Sequence, residues 1–133
     1  MFKFKTKVYY EDTDAGGVVY YANYLKFIER ARTNLIQELG FSLLTLSEKN
    51  DCHFVVKNIN CHYIQSANLE DQLLINTKFL KIKKASFELE QIIYKNKKKI
   101  FESKVLMVNI NSNGKPLKIP MPLISILKDN HIN

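Results

Sequence analysis

Helical periodicity is sustained over any length only once in this chain, and nearly all the regular structure after it has the period of a strand. Tyr24, Leu25, Ile28, Ala31, Leu35 and Leu39 recur at steps of three and four, while Arg30, Arg32, Gln37 and Glu38 lie largely off that stripe. Asn23 is the expected N-cap and Gly40 the expected C′ residue, which places one long helix over about residues 24–39. Before it, residues 3–10 alternate as a first strand, with Phe2, Phe4, Thr6, Val8 and Tyr10 on one side and lysines on the other. After a polar connection through Ser47, Glu48, Lys49, Asn50 and Asp51, four further strands are expected near residues 54–63, 72–82, 86–94 and 99–111. The links Lys83-Lys84-Ala85 and Lys95-Asn96-Lys97-Lys98 are short enough for hairpins. Pro116, Pro120 and Pro122 then break regularity before a short helix near residues 123–128. Such a chain folds as an α+β domain, an antiparallel sheet of five or six strands burying one face on a single long helix. Apolar residues on both registers, as in Val105-Leu106-Met107-Val108, suggest that the sheet or its edge also packs against another subunit.

The segment feeding the helix has its own chemistry. In the run Val8-Tyr9-Tyr10-Glu11-Asp12-Thr13-Asp14-Ala15-Gly16-Gly17-Val18-Val19-Tyr20-Tyr21-Ala22-Asn23-Tyr24, three carboxylates precede a Gly-Gly pair and then a helix start. Glycines let the backbone turn sharply, and the first N–H groups of a helix lack partners within it. A carboxylate beside such donors suits general base or nucleophilic work on a carbonyl, with the N–H groups receiving the oxyanion. Asp12 and Asp14 compete for that role, and a turn-forming aspartate bonded to nearby N–H groups is the other use for either.

Bulk properties narrow the classes. With 133 residues, 46% of them hydrophobic and 25% charged, the whole chain, 1–133, has the size of one domain. No apolar stretch approaches the roughly 20 residues of a membrane span. Met1-Phe2-Lys3-Phe4-Lys5 alternates apolar and basic residues without the apolar stretch of a signal peptide, so a cytoplasmic location is expected. Cys52 and Cys61 match no zinc spacing, and the His that follows each would face the opposite side of a strand, so the expectation is structural thiols and no metal. The net charge of +7 gathers at Lys78, Lys81, Lys83, Lys84 and at Lys95, Lys97, Lys98, Lys99, a surface that favours anionic partners or protects strand edges. Nothing interleaves aromatics with these lysines at a base-stacking spacing, so nucleic acid is not expected.

The acidic run, with Asn23-Tyr24 and Glu29-Arg30-Ala31-Arg32 after it, closely resembles the hotdog-fold acyl-CoA thioesterases. Within them it is most similar to the YbgC branch associated with the Tol-Pal cell-envelope system, related to 4-hydroxybenzoyl-CoA thioesterase. The likeness extends to about residue 128. It implies hydrolysis of an acyl-CoA to free acid and CoA without a bound cofactor, in phospholipid or cell-envelope metabolism; the apolar helix and strand faces favour a fatty acyl group of medium to long chain over an aromatic one. It places the catalytic carboxylate at Asp14, a hydrogen-bonding phenol at Tyr10, and oxyanion donors at the backbone N–H groups from Val19 to Tyr21, with Gly17, Val18 and Val19 against the substrate. Lys83 and Lys84, with Ser86 after them, match a basic pair that holds CoA phosphates. It also implies a homodimer or homotetramer with sites between subunits; the basic surface suits acyl carrier protein as a carrier as well as CoA. Tyr21 departs from the pattern: many members carry His there, which turns the expectation toward a carboxylate acting without an imidazole. A dehydratase on the same fold, or a domain that binds acyl-CoA or acyl carrier protein without turnover, are the competing readings; the first lacks its usual His in the motif, and an intact Asp14 argues against the second.

Overall fold

The computed structural model describes residues 1–131. Strands β1 (Phe2–Lys7), β2 (His53–Tyr63), β3 (Gln72–Ile82), β4 (Ser86–Lys95) and β5 (Lys98–Ile110) form one antiparallel sheet in the order β1-β3-β4-β5-β2. Helices are α1 (Asn23–Glu38), α2 (Leu43–Asn50) and α3 (Leu123–Asp129). Helix α1 lies on one face, its apolar stripe of Phe27, Ile28, Ala31 and Leu35 buried against Ile75, Leu89, Ile93 and Val105 of the sheet. The opposite face keeps Lys78, Lys104 and half-buried Glu88, Glu90 and Glu102 in contact with water, as alternation in an antiparallel sheet dictates. Leu106 and Val108 of that face are only half-buried within one chain.

Local chemistry accounts for most boundaries. Gly40 takes φ +93°, the left-handed conformation that ends α1, as expected from its position after Leu39. Asn96 and Lys97 form a two-residue loop between β4 and β5, both at positive φ, the turn whose twist matches paired strands. Two expectations are corrected. Strand β1 stops at Lys7 rather than Tyr10: Val8 turns its N–H to the Asp71 carbonyl and is buried, and residues Tyr10–Asp12 close a single 3-10 turn. The polar connection after α1 contains a helix, α2, capped where the Ser42 hydroxyl accepts the Thr45 N–H at 3.3 Å. Only Leu46 of α2 is buried, so it carries almost no periodic signal.

Asn109 ties the far end of the sheet together. Fully buried, it accepts the His53 N–H through Oδ1 at 2.9 Å and donates through Nδ2 to the Leu117 carbonyl at 3.0 Å. Its own N–H reaches the Ala85 carbonyl, so the start of β2, the β3–β4 loop and the proline-rich segment share one anchor.

Candidate active site

The acidic run folds into a small hairpin ahead of α1. Thr13 pairs with Val19, the Asp14 N–H donates to the Val18 carbonyl at 2.9 Å, and the Gly17 N–H returns to the Asp14 carbonyl at 3.0 Å. Gly17, at φ +81°, supplies the left-handed residue that such a three-residue loop requires. Asp14 sits at its start, exposed, with Oδ1 accepting the Gly16 N–H at 2.8 Å. Gly16 matters for a different reason: a Cβ there would stand 3.3 Å from that same oxygen. The second oxygen, Oδ2, has no hydrogen-bond partner among the described residues.

Asp12 does the other job. It is 4% exposed, and its Oδ2 accepts the Tyr9 N–H at 2.9 Å. Its carbonyl accepts both the Tyr20 N–H at 3.0 Å and Asn23 Nδ2 at 2.9 Å, which fastens the acidic turn to the first residue of α1. Asn23 is therefore inside the helix and buried, and the N-cap is Ala22, which offers no capping side chain.

Of the three N–H groups expected to receive an oxyanion, two are engaged. Val19 donates to the Ala67 carbonyl at 2.9 Å and Tyr20 to Asp12, which removes both from that role. The Tyr21 N–H is left, just ahead of α1. The Tyr21 carbonyl accepts the Tyr63 hydroxyl at 3.0 Å, so β2 fixes the peptide that follows it. Gly17 is exposed, Val18 half-buried and bridged to Asn68, and Val19 buried. The Tyr10 ring is 83% exposed and the Tyr21 ring 63%, the latter against Tyr20 at 4.9 Å and Tyr63 at 6.3 Å between centroids. Tyr20, Tyr21 and Tyr63 make an exposed aromatic surface.

Lys83, Lys84 and Ser86 lie in and beside the β3–β4 loop, both lysines exposed. Lys83 and Ser86 line a groove of about 270 Å³ that also receives Lys57 and Lys81. Lys57 comes from β2 and was not legible as a member of this cluster, since strand pairing alone brings it there.

A larger apolar cavity, about 380 Å³, opens between α1, α2 and strands β2, β4 and β5. Leu35, Ile36, Phe54, Phe87, Leu89 and Met107 supply apolar wall, and Arg32, Glu29, Ser47 and His53 supply its polar groups. None of its lining residues belongs to the run from Val8 to Tyr24. At its rim His53 Nε2 lies 2.9 Å from Asp51 Oδ1 and Nδ1 lies 3.5 Å from Ser47 Oγ. Asp51 also accepts the Ser112 N–H and hydroxyl through Oδ2, and these bonds, the Ser112 N–H foremost, hold its carboxyl below the usual range. Cys52, behind this rim, is a buried free thiol whose pKa burial pushes up to about 11, too high for a nucleophile. Among the described residues no group of three or more His, Cys, Asp or Glu side chains is placed to hold a metal ion, and no helix is long and apolar enough to cross a membrane.

Residues 8–127 match the family model of the thioesterase-like superfamily. The chain belongs to that family. Among thioesterases of known sequence, it is 40% identical over 120 residues to the acyl-CoA thioesterase YbgC of Haemophilus influenzae, which covers 90% of this chain and 88% of the relative. Among solved thioesterase structures, a probable thioesterase from Bartonella henselae superposes with a TM-score of 0.86 at 33% identity over 89% of this chain and 98% of the other. A gentisyl-coenzyme A thioesterase superposes with a TM-score of 0.86 at 27% identity, over 94% and 98%. The five-stranded antiparallel sheet on its long helix is accordingly the hotdog fold of the thioesterases, in the YbgC branch.

Proposed function

We propose that this thioesterase-family chain hydrolyses acyl-CoA thioesters with Asp14 as the essential carboxylate. The observation that carries the proposal is the Asp14 side chain: exposed, locked at one oxygen by the Gly16 N–H, with the other oxygen unengaged among the described residues. A thioester carbonyl is electrophilic enough for such a carboxylate to attack it, or to take a proton from an attacking water. In the first route an acyl-Asp14 anhydride forms as CoA leaves as thiolate, and water then opens it. In the second, water adds directly and CoA leaves from the tetrahedral intermediate. The Tyr21 N–H stabilises the oxyanion in both, a donor of a kind typically worth about 3 kcal/mol. Lys57, Lys81 and Lys83 offer a cationic groove for CoA phosphates.

The acid and the apolar cavity occupy different parts of one chain, which supports a site completed by a second copy. Strand β2 is an edge of the sheet and exposes Val55 and Val56, the surface an antiparallel partner strand would cover. A homodimer across β2, alone or paired into a tetramer, is the assembly this favours. The mainly apolar walls suit an aliphatic acyl group of medium to long chain, delivered on CoA or on acyl carrier protein. Two free thiols agree with a cytoplasmic setting. A role in phospholipid or cell-envelope metabolism is proposed on family likeness alone.

Asp14→Asn assayed against acyl-CoAs of graded chain length tests the reading. Turnover should fall by about two to four orders of magnitude, the range such groups contribute. Unchanged turnover would remove Asp14 from the mechanism, and an inert parent protein across the panel would remove the activity. Single-turnover hydrolysis in H₂¹⁸O, followed by mass analysis of the Asp14 peptide, detects an anhydride that water opens at the aspartyl carbon, and rapid-quench isolation of an acylated Asp14 peptide detects one opened at the acyl carbon; absence of both signals leaves direct attack by water.

A further inference from the structure

On the wall of the apolar cavity the guanidinium of Arg32 makes no ion pair within 4 Å among the described residues, and the Glu29 carboxylate acts on it only from farther off. Its Nη1 donates to Gln91 Oε1 at 2.9 Å, a neutral acceptor. Glu29, one helical turn earlier, stays exposed at the mouth, where its carboxylate accepts the Thr33 hydroxyl at 3.5 Å. Gln91 holds this arrangement in place. It is fully buried at the centre of the sheet, and its Nε2 donates to the Ile28 carbonyl at 2.9 Å and to Thr77 Oγ1 at 3.1 Å. With both donors of that amide committed, its oxygen points at Arg32. Ser103, also buried, donates its hydroxyl to the Gln91 carbonyl and braces the backbone behind it.

A half-buried cation with one neutral partner is costly unless something anionic completes it. Burial pulls the Arg32 guanidinium below its ordinary value, the Glu29 carboxylate offsets part of that from beyond ion-pair distance, and arginine keeps its proton throughout. A guanidinium carries five N–H donors in a fixed fork that matches a carboxylate edge on, and Gln91 takes only one of its nitrogens. The remaining donors belong to a side chain that lines an otherwise mainly apolar cavity.

We propose that Arg32 is a specificity residue that receives a carboxylate at the far end of the bound acyl chain, so that ω-carboxyacyl thioesters are the preferred substrate class. The inference deepens the thioesterase reading and rests on it. The apolar walls take the methylene chain, and Arg32, set by Gln91, takes its charged end. A plain fatty acyl group of the same length leaves that cation unpaired.

Two measurements test it. In kinetics, adipyl-CoA should exceed hexanoyl-CoA in kcat/KM by at least tenfold, and Arg32→Gln should cut that ratio by at least tenfold, while Arg32→Lys, which keeps the charge, should retain part of it. In calorimetric titration without any reaction, free hexanoate should bind the parent protein at least tenfold more tightly than 1-hexanol, an advantage Arg32→Gln should erase. Equal kcat/KM for adipyl- and hexanoyl-CoA in the parent protein overturns the inference and leaves the thioesterase reading standing. No hydrolysis of any acyl-CoA fails that reading instead, and the hexanoate and hexanol titrations then decide the role of Arg32 alone. If Arg32→Gln does not fold, the parent comparison and Arg32→Lys still decide.

Discussion

Asn23 Nδ2 donates to the Asp12 carbonyl at 2.9 Å, and that one buried bond joins the acidic turn to the start of the long helix. The same carbonyl accepts the Tyr20 N–H, so Asp12 is the fixed point about which the hairpin holding Asp14 is built. Asn23→Leu removes the donor and places an apolar group beside a buried carbonyl that keeps one of its two bonds. The expected cost is about 1–2 kcal/mol in urea denaturation. Turnover should fall as well, because Asp14 and the Tyr21 N–H lose their common frame. Full activity together with the stability loss would show that the hairpin holds its shape without this bond.

The two glycines of the turn should respond differently to alanine. Gly17 sits at φ +81° with open space around its Cβ position, so Gly17→Ala carries backbone strain alone, about 1 kcal/mol. Gly16 has an ordinary φ, but its Cβ would crowd Asp14 Oδ1 at 3.3 Å. Gly16→Ala should therefore leave the melting temperature nearly unchanged and lower kcat by displacing the acid. Thermal melts paired with steady-state kinetics on both variants check the split.

Much of this was readable from residue order, and the omissions have physical causes. The long helix, the four later strands and the Gly40 terminus follow from periods and turn residues that act locally. Helix α2 escaped because a helix that buries only Leu46 has no stripe to detect. The loss of Val19 and Tyr20 as oxyanion donors was not legible, since their acceptors are set by tertiary pairing with Ala67 and by the fold of the hairpin. Arg32 looked like a solvated helix residue beside Glu29. Only the placement of Gln91, 59 positions away, turns it into a cavity group. Lys57 joined Lys81 and Lys83 for the same kind of reason.

Gln91 also carries structural weight. Gln91→Leu keeps the volume but strips Arg32 of its acceptor and leaves Thr77, itself buried, without this donor. A loss of about 1–3 kcal/mol is expected from the polar groups left unsatisfied. Gln91→Glu still accepts from Arg32 and neutralises it, which should abolish any preference for ω-carboxyacyl substrates, but it sets a carboxylate oxygen against the Ile28 carbonyl where Nε2 donated, so it too should lose stability. Denaturation curves and the adipyl to hexanoyl ratio for the pair of variants separate stability from specificity.

Acid sensitivity should trace in part to Asp71. Burial works to raise its pKa, but the Lys95 ammonium at 2.7 Å and the Asn68 N–H at 2.7 Å together hold the carboxyl below its ordinary value. A lowered folded value means that the stabilisation is fully present above the unfolded carboxylate range, near pH 4. It is lost as pH falls through the lower folded value. The pair is partly exposed, so its worth is at most about 1 kcal/mol. Asp71→Asn should be slightly less stable at pH 7 and should show a shallower decline between about pH 4 and pH 2, as urea midpoints across that range would report.

The exposed edge strand gives the assembly its test. Val56 is 45% exposed on β2, which hydrogen-bonds only to β5 and leaves its other edge unpaired within the chain. Charged residues on an edge block strand pairing, so Val56→Lys should convert the proposed β2-paired dimer to monomer in sedimentation equilibrium while leaving the fold of the single chain intact by circular dichroism. Since the acid and the apolar cavity of one chain do not meet, the monomer should also lose turnover, and mixing it with Asp14→Asn protein should not restore more than a small fraction. If Val56→Lys remains a dimer, the pairing lies on another surface, the half-buried Leu106 and Val108 face of the sheet being the next to substitute. If it becomes a monomer yet stays fully active, the site is complete within one chain, and the cavity beside Arg32 must connect to Asp14 along α1 rather than across an interface.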